Sequence, residues 1–318
     1  MRYTFLRDSK TVSGIAQQSK PRAFKRLKRI DALWGYAFIT PQLMGFLIFV
    51  IGPLIAVFVF SLQEFNILAN KRTFVGFGNY SQMFLEDSLF IKTLLNSLVF
   101  TVGLVPMNIA LALTLSIVLS QNMPGKIFFR MIFFAPVLTS AVAWAIVWRF
   151  LLQGENGIVN QYLIFFGIRG PNWLREVGWA MLSVIVVRVI KNLGLNMIIF
   201  LAALSNVPVQ YVEAARIDGA NRWVIFQKIT LPFLAPTTLM VVIITVIGSL
   251  QVFDHILLLT AGGPQHSTLV LVYYIYYQAF EFFEVGYASG AAVILFVLAL
   301  VFTLVQWLLR RKFVFQEV

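Results

Sequence analysis

The sequence predicts an all-α, polytopic membrane protein with six transmembrane helices, and three observations carry that prediction. Hydrophobic residues make up 59% of the chain and charged residues only 12%, with a mean hydropathy of +0.84; ordinary globular domains carry about 25% charged residues. Six apolar stretches are each long enough to cross a hydrocarbon core of ~30 Å. The basic residues, finally, gather beside these stretches. Lys10, Lys20, Arg22, Lys25, Arg26, Lys28 and Arg29 crowd the N-terminus, and Arg310, Arg311 and Lys312 crowd the C-terminus. That is the positive-inside pattern, so the formal net charge of +12 reads as an orientation signal rather than a nucleic-acid footprint. With no cysteine, disulfide and thiolate chemistry are excluded.

Residues 1–30 are polar and basic and read as a cytoplasmic tail. They lack a short apolar core followed by a small-residue cleavage site, which argues against a cleaved signal peptide. Residues 31–318 then form one transmembrane domain, with no second domain and no convincing internal repeat. The first span is expected over residues 34–62, with Pro41 and Pro53 bending or ending it. A loop over residues 63–92 follows. The second span covers residues 93–119, with Pro106 near its middle. After the short link QNMPGK, a third span covers residues 127–152, where Trp148 and Arg149 near its far end fit an interfacial belt. The loop to Gly178 is rich in turn formers, among them Gly154, Gly157, Gly167, Gly170 and Pro171.

The fourth span, residues 179–204, carries Arg188, Lys191, Asn192 and Asn196 in an otherwise apolar run. At 100° per residue these four fall within an arc of about 140° on one helix face. A charge at bilayer depth costs at least ~2.5 kcal/mol, so this face meets a partner helix, a counter-charge, helix-end carbonyls or a water-filled path. Among the abundant aromatics, Trp144 is a candidate for stacking on a sugar face.

Residues 205–232 interrupt the apolar second half of the chain with Glu213, Arg216, Asp218, Arg222 and Lys228. Pro208 suits the first turn of a helix, and Gly219 falls where a helix commonly ends in the left-handed conformation. Asn221 can cap a second short helix, expected to run until Pro232. The prediction is a polar helix-turn-helix at the membrane surface. The fifth span is expected over residues 232–259 and the sixth over residues 285–309. Between them lie TAGGPQHST (Thr260 to Thr268) and the amphipathic aromatic stretch VYYIYYQAFEFFE. Six spans place both termini and the Glu213 loop in the cytoplasm, with about 17 lysines and arginines inside and about six outside.

Nothing in the chain forms a catalytic constellation. The two histidines, His255 and His266, have no cysteine to complete a metal site, and Asp254 beside His255 lies near the outer end of its span, where a solvated role fits. No GxxxxGK[ST] phosphate loop occurs, so the chain cannot bind ATP in the P-loop manner.

The stretch EAARIDGANRWVIFQKITLP, Glu213 to Pro232, resembles the coupling loop of binding-protein-dependent ABC importer permeases. More narrowly, the chain is similar to the maltose and glycerol-phosphate type of sugar permease. Glu213, Ala214, Ala215 and Gly219 match that motif residue by residue, with Asp218, Arg222 and Pro232 inside the same loop. GYAFITPQLMGFLIFVIGPLIAVFVFSL, FVGFGNYSQMF and TAGGPQHST resemble further elements of the family.

The resemblance implies a type I ABC importer fold in the bacterial cytoplasmic (inner) membrane, without enzymatic activity of its own. The loop would dock into a cleft of a cytoplasmic ATPase subunit. A second homologous permease, two ATPase subunits carrying ATP and Mg, and an extracytoplasmic solute-binding protein would complete the machine, and its substrate would be a sugar or oligosaccharide. Lysine and asparagines are common at the positions of Lys191, Asn192 and Asn196 in similar permeases. Arg188 stands where an aromatic or neutral residue is expected, which raises an anionic sugar (a uronate oligosaccharide or a sugar phosphate) beside a neutral one. The main alternative class, an ion-gradient-driven secondary transporter, needs midplane carboxylates or paired broken helices, and the apolar spans hold almost no carboxylates.

Overall fold

The computed structural model describes residues 22–68 and 71–313. Most of the expected basic tail, residues 1–21, lies outside them, as do the side chains of Arg310, Arg311 and Lys312. The chain divides into two compact units, one ending at Ala56 and one beginning at Val57.

In the first unit, helix α1 (Arg22–Phe46) runs through a π turn (Leu47–Ile51) into α2 (Gly52–Ser61), whose residues from Val57 on belong to the second unit. Pro41 and Pro53 do not end the span, which continues from Asp31 to Ser61. The reason is visible just before Pro53. The N–H of Gly52 reaches back five residues to the carbonyl of Leu47. A widened turn of this kind accommodates a ring that would otherwise press on the carbonyl four residues back.

A β-hairpin follows α2 in the second unit, β1 (Gln63–Asn66) against β2 (Lys71–Phe74), in antiparallel register from Gln63↔Phe74 to Asn66↔Lys71. Helix α3 (Gly78–Leu85) follows. The segment expected as a plain loop therefore has its own structure. Asn79 holds it by donating to the carbonyls of Ser61 at 2.8 Å and Gln63 at 2.9 Å.

Helix α4 (Ser88–Ser120) starts earlier than expected because Asp87 caps it. One carboxylate oxygen accepts from the amides of Leu89 and Phe90, both at 2.9 Å. The other accepts from the hydroxyls of Tyr274 at 2.5 Å and Tyr287 at 2.8 Å. Tyr274 belongs to α13 (Leu271–Tyr276) and Tyr287 to α14 (Val285–Phe313). One side chain thus ties the aromatic stretch and the last span to the start of α4.

The third expected span is not one helix. It is α5 (Lys126–Leu138) followed by α6 (Ala141–Leu151), bent by 104°. Pro136 removes a main-chain donor near the end of α5, and Thr139 and Ser140 take extended backbone angles. The described residues hold five helices long and apolar enough to cross a membrane, or six when this bent pair counts as one span.

The fifth expected span is also redrawn. α10 (Arg222–Ile225) continues through a π turn (Phe226–Thr230) into α11 (Leu231–Leu250), so Pro232 does not stop the helix. The device is the one seen at Pro53: the N–H of Leu231 bonds the carbonyl of Phe226, and Pro232 occupies the opening turn of α11. The chain then breaks at residues 251–253 and resumes as the separate α12 (Asp254–Leu259).

Helix α8 (Trp179–Ser205) is central to this unit, packing against α4, α5 and α11. Of its most apolar window 56% is buried, against 33% for the corresponding windows of α4 and of the Arg222–Leu250 span. Three of its polar residues, Ser183, Lys191 and Asn196, are buried in this packing. Gly194 permits its closest contact. A Cβ there would stand 2.1 Å from the Phe133 carbonyl oxygen of α5.

Candidate functional site

Two regions carry the sequence-predicted site residues, and α8 connects them. The first is the hairpin after its C-terminal end. Pro208 stands at the N-cap of α9 (Val209–Ile217), and Asp218 is the C-cap. Gly219 has φ of +79°, the left-handed region in which a Cβ costs roughly 1–2 kcal/mol. The Ala220 amide reaches back to the Ala215 carbonyl at 2.9 Å, closing the helix end as such a turn requires. Asn221 then caps α10, its side-chain oxygen accepting from the Val224 amide at 2.9 Å. A glycine turn and an asparagine cap therefore build the helix-turn-helix that the residue order predicts.

Glu213, Ala214, Asp218, Gly219 and Arg222 are exposed on this hairpin, and Ala215 and Pro232 are half-buried. Large apolar side chains are exposed beside them. Ile217 is 87% exposed, and Trp223 63%. A charged hairpin that also offers a large aliphatic and an indole to its surroundings has the composition of a contact surface.

The second region is the polar face of α8, where the four residues separate by what they touch. Lys191 is buried, and its ammonium donates to the main-chain oxygens of Pro136 and Thr139, the latter at 2.6 Å, with Val137 at 3.4 Å and the Thr139 hydroxyl at 3.1 Å. An ammonium has three donors, and the carbonyls left open by the α5–α6 break use them.

At the other edge of the arc, Asn196 is buried between helices. It donates to the Asn108 side-chain oxygen at 2.5 Å and to the Thr245 hydroxyl at 3.1 Å. Asn108 in turn donates to the Val189 carbonyl at 3.2 Å, locking α4 to α8. Arg188 and Asn192 lie between these edges, one helical turn apart, and both are half-buried. Among the described residues neither side chain makes a hydrogen bond, and the Arg188 Nε is buried without a partner. Asp254 acts on Arg188 electrostatically, yet no ion pair within 4 Å joins them.

Trp144 on α6 belongs to the same neighbourhood. Its indole N–H donates to the Val187 carbonyl at 3.1 Å, and its ring centre lies 6.0 Å from the Lys191 ammonium. The structure thus gathers Trp144 and Lys191 on one flank of α8, places Asn196 on the other, and leaves Arg188 and Asn192 open between them. Asn108, Thr139 and Thr245 were not among the predicted site residues. Asn108 is an amide in the middle of an apolar span, a legible signal; the two threonines carry none. His255, in α12, is 1% exposed and its Nε2 has no partner.

Comparison with known proteins agrees with this geometry. The family described as "Binding-protein-dependent transport system inner membrane component" matches residues 108–314. The chain is 32% identical over 309 residues to the arabinooligosaccharides transport system permease protein AraP of Bacillus subtilis (strain 168), covering 95% of this chain and 96% of the relative. A permease chain from the crystal structure of a bacterial alginate ABC transporter, in complex with an alginate pentasaccharide-bound periplasmic protein, superposes with a TM-score of 0.79. It is 25% identical and covers 94% of this chain and all of that one. A second crystal structure, of a bacterial ABC transporter involved in the import of the acidic polysaccharide alginate, superposes with a TM-score of 0.76 at 28% identity, covering 92% of this chain and 99% of that one. The bent third span, the capped hairpin and the sugar-transport relatives lead to one assignment: the chain belongs to the binding-protein-dependent transport system inner membrane components, as a multipass permease subunit of an ABC sugar importer.

Proposed function

We propose that this permease subunit imports an anionic oligosaccharide of the uronate class, with Arg188 and Asn192 facing its path. One observation carries the reading. Lys191 and Asn196 are taken up by carbonyls and polar groups of this chain, whereas Arg188 is half-buried with no hydrogen bond among the described residues. An unmatched buried donor costs roughly 1–3 kcal/mol, and more when charged, so the partner of Arg188 comes from outside the chain. A guanidinium presents a planar fork of donors suited to a carboxylate. The alginate importers among the similar structures support an acidic cargo. The arabinooligosaccharide relative at comparable identity means that the scaffold alone does not set the charge.

In this reading the Glu213–Pro232 hairpin docks on a cytoplasmic ATPase subunit through Glu213, Ala214, Ala215, Asp218, Gly219 and Arg222. Exposed Ile217 and Trp223 supply its apolar grip. Two ATPase copies carry ATP and Mg, a second homologous permease completes the path, and an extracytoplasmic binding protein delivers the sugar. Both termini are cytoplasmic. Lys191 holds the α5–α6 bend that lines the path, and Trp144 fastens α6 to α8.

The test is transport by the whole importer in proteoliposomes, wild type against Arg188→Gln. The substrates are a uronate trisaccharide and its carboxyl-reduced, neutral counterpart. The variant should lose about tenfold in uronate transport, equivalent to one charge-assisted hydrogen bond, and keep neutral transport. Equal loss for both sugars, or no change, would show that Arg188 pairs with protein and would remove the anionic assignment.

A further inference from the structure

A cavity of about 760 Å³ opens between the end of α6, residues 153–156 and 172–175 of the following loop, and the end of α12. That volume lies inside the 300–1,000 Å³ range of small-molecule sites. Its position is set by α8. Arg175 lies just before the first residue of that helix, and the coupling hairpin follows its last. The 27 residues of α8 rise ~40 Å, so the cavity is at the opposite end of the unit from the hairpin.

The side chains lining it are largely uncommitted. Arg149 has one long contact, 3.4 Å from its Nη1 to the Leu258 carbonyl. Arg175 makes no side-chain hydrogen bond among the described residues, and neither do the lining amides of Gln153, Asn156 and Asn172. Glu155 lines the same cavity. Guanidiniums for carboxylates and amides for hydroxyls are the donor set of an acidic sugar unit. Arg149 also lies on α6 only five residues, ~8 Å of helix rise, beyond Trp144, whose indole touches α8 beside Arg188.

We infer that this cavity is an entry subsite for one carboxylated unit of the oligosaccharide, held by Arg149 and Arg175 before the chain passes on to Arg188. The inference rests on the anionic reading above. It makes a line of cations, Arg175, Arg149 and Arg188, along which an acidic chain is handed inward. Glu155 opposes it and keeps the subsite weak enough to release its ligand.

The chain has no cysteine, so Phe150→Cys, at an exposed position lining the cavity, gives this subunit a single thiol, read on its own band in the assembled importer. Its rate of reaction with an impermeant maleimide is measured with trigalacturonate, with the carboxyl-reduced trisaccharide, or with inorganic phosphate at matched ionic strength. Trigalacturonate should slow the labelling, and the other two should not. Arg149→Gln and Arg175→Gln should each raise the trigalacturonate concentration needed by about fivefold, the upper value for an exposed charge pair. Glu155→Gln should lower it, an effect of opposite sign that general disruption would not produce.

Absence of protection overturns the subsite, and so does equal protection by the neutral trisaccharide or by phosphate. Insensitivity to both arginine variants overturns it as well. Protection without uronate transport would sink the substrate assignment and leave the subsite standing. Uronate transport without protection would sink the subsite alone.

Discussion

The Lys191 ammonium of α8 donates to the main-chain oxygen of Thr139 at 2.6 Å, just past the end of α5. Pro136 ends regular bonding there, and the last carbonyls of a helix have no partners of their own. In water they would be solvated; inside a membrane protein another helix must supply the donors. Gly194, three residues further along α8, lets the α5 backbone approach closely enough for the lysine to reach it. The bend and the cation are one structural unit.

Removing that cation should therefore damage assembly before it alters specificity. Lys191→Met removes the donor that reaches the Thr139 carbonyl and should lower stability by about 2 kcal/mol. Arg188→Gln, which breaks no bond among the described residues, should leave stability unchanged. Thermal unfolding of the two purified variants in detergent measures the difference. An unfolding midpoint for Lys191→Met equal to that of the parent would show that the bend holds without it.

The turn of the coupling hairpin makes a separate prediction. A Cβ at Gly219 would meet nothing within 4 Å in this chain, so the cost of substitution is the positive φ of +79° alone. Asn tolerates that region and a β-branched residue does not. Gly219→Asn should retain substrate-stimulated ATP hydrolysis in the assembled importer. Gly219→Val should insert normally yet lose most of that stimulation. Equal activity in the two variants would separate the turn from coupling.

Acid should loosen the N-terminal end of α4. Burial alone would raise the Asp87 carboxyl, but hydrogen bonds from Tyr274, the Phe90 amide, Tyr287 and the Leu89 amide outweigh it and hold its pKa below the usual 3.8. A depressed carboxylate stabilises the fold above its unfolded pKa, and the contribution is lost as pH falls through the lower folded value. The unfolding midpoint of the wild type should thus drop as pH falls below about 4. Asp87→Asn should start about 1 kcal/mol lower at neutral pH, because the hydrogen bonds from Tyr274 and Tyr287 lose their charged acceptor, and show a shallower acid decline. Parallel pH profiles for the two proteins would assign the acid sensitivity elsewhere.

Orientation is testable on the cysteine-free background. Arg169→Cys sits on an exposed loop residue before α8, and Gln227→Cys on an exposed residue of the hairpin region after it. In intact cells an impermeant maleimide should label the first and reach the second only after the membrane is opened. The reverse pattern would invert the proposed topology.

The sequence by itself determined the class of the protein. Apolar stretches of membrane-crossing length, basic residues at their flanks, and the Gly219 and Asn221 signals are local properties, and local properties survive without neighbours. The same is true of Asp87, whose capping amides are two and three residues away, although the cap was not anticipated. Proline was the misleading signal. Pro53 read as a bend or an end and Pro232 as a stop, yet a π turn just ahead of each lets the helix pass. Around Pro136 the chain does break, by 104°. At that break Lys191 of another helix meets the Thr139 carbonyl, and the residues on either side of Pro136 do not say so.

Tertiary structure also divided the polar arc of α8. In sequence Arg188, Lys191, Asn192 and Asn196 share one face, and helical geometry cannot rank them. Only the packing of α5 on one flank and of α4 and α11 on the other shows that Lys191 and Asn196 are occupied while Arg188 and Asn192 are open. The number of donors and acceptors a helix carries is written in its residues. Which of them remain unmatched depends on the neighbours that fold against it.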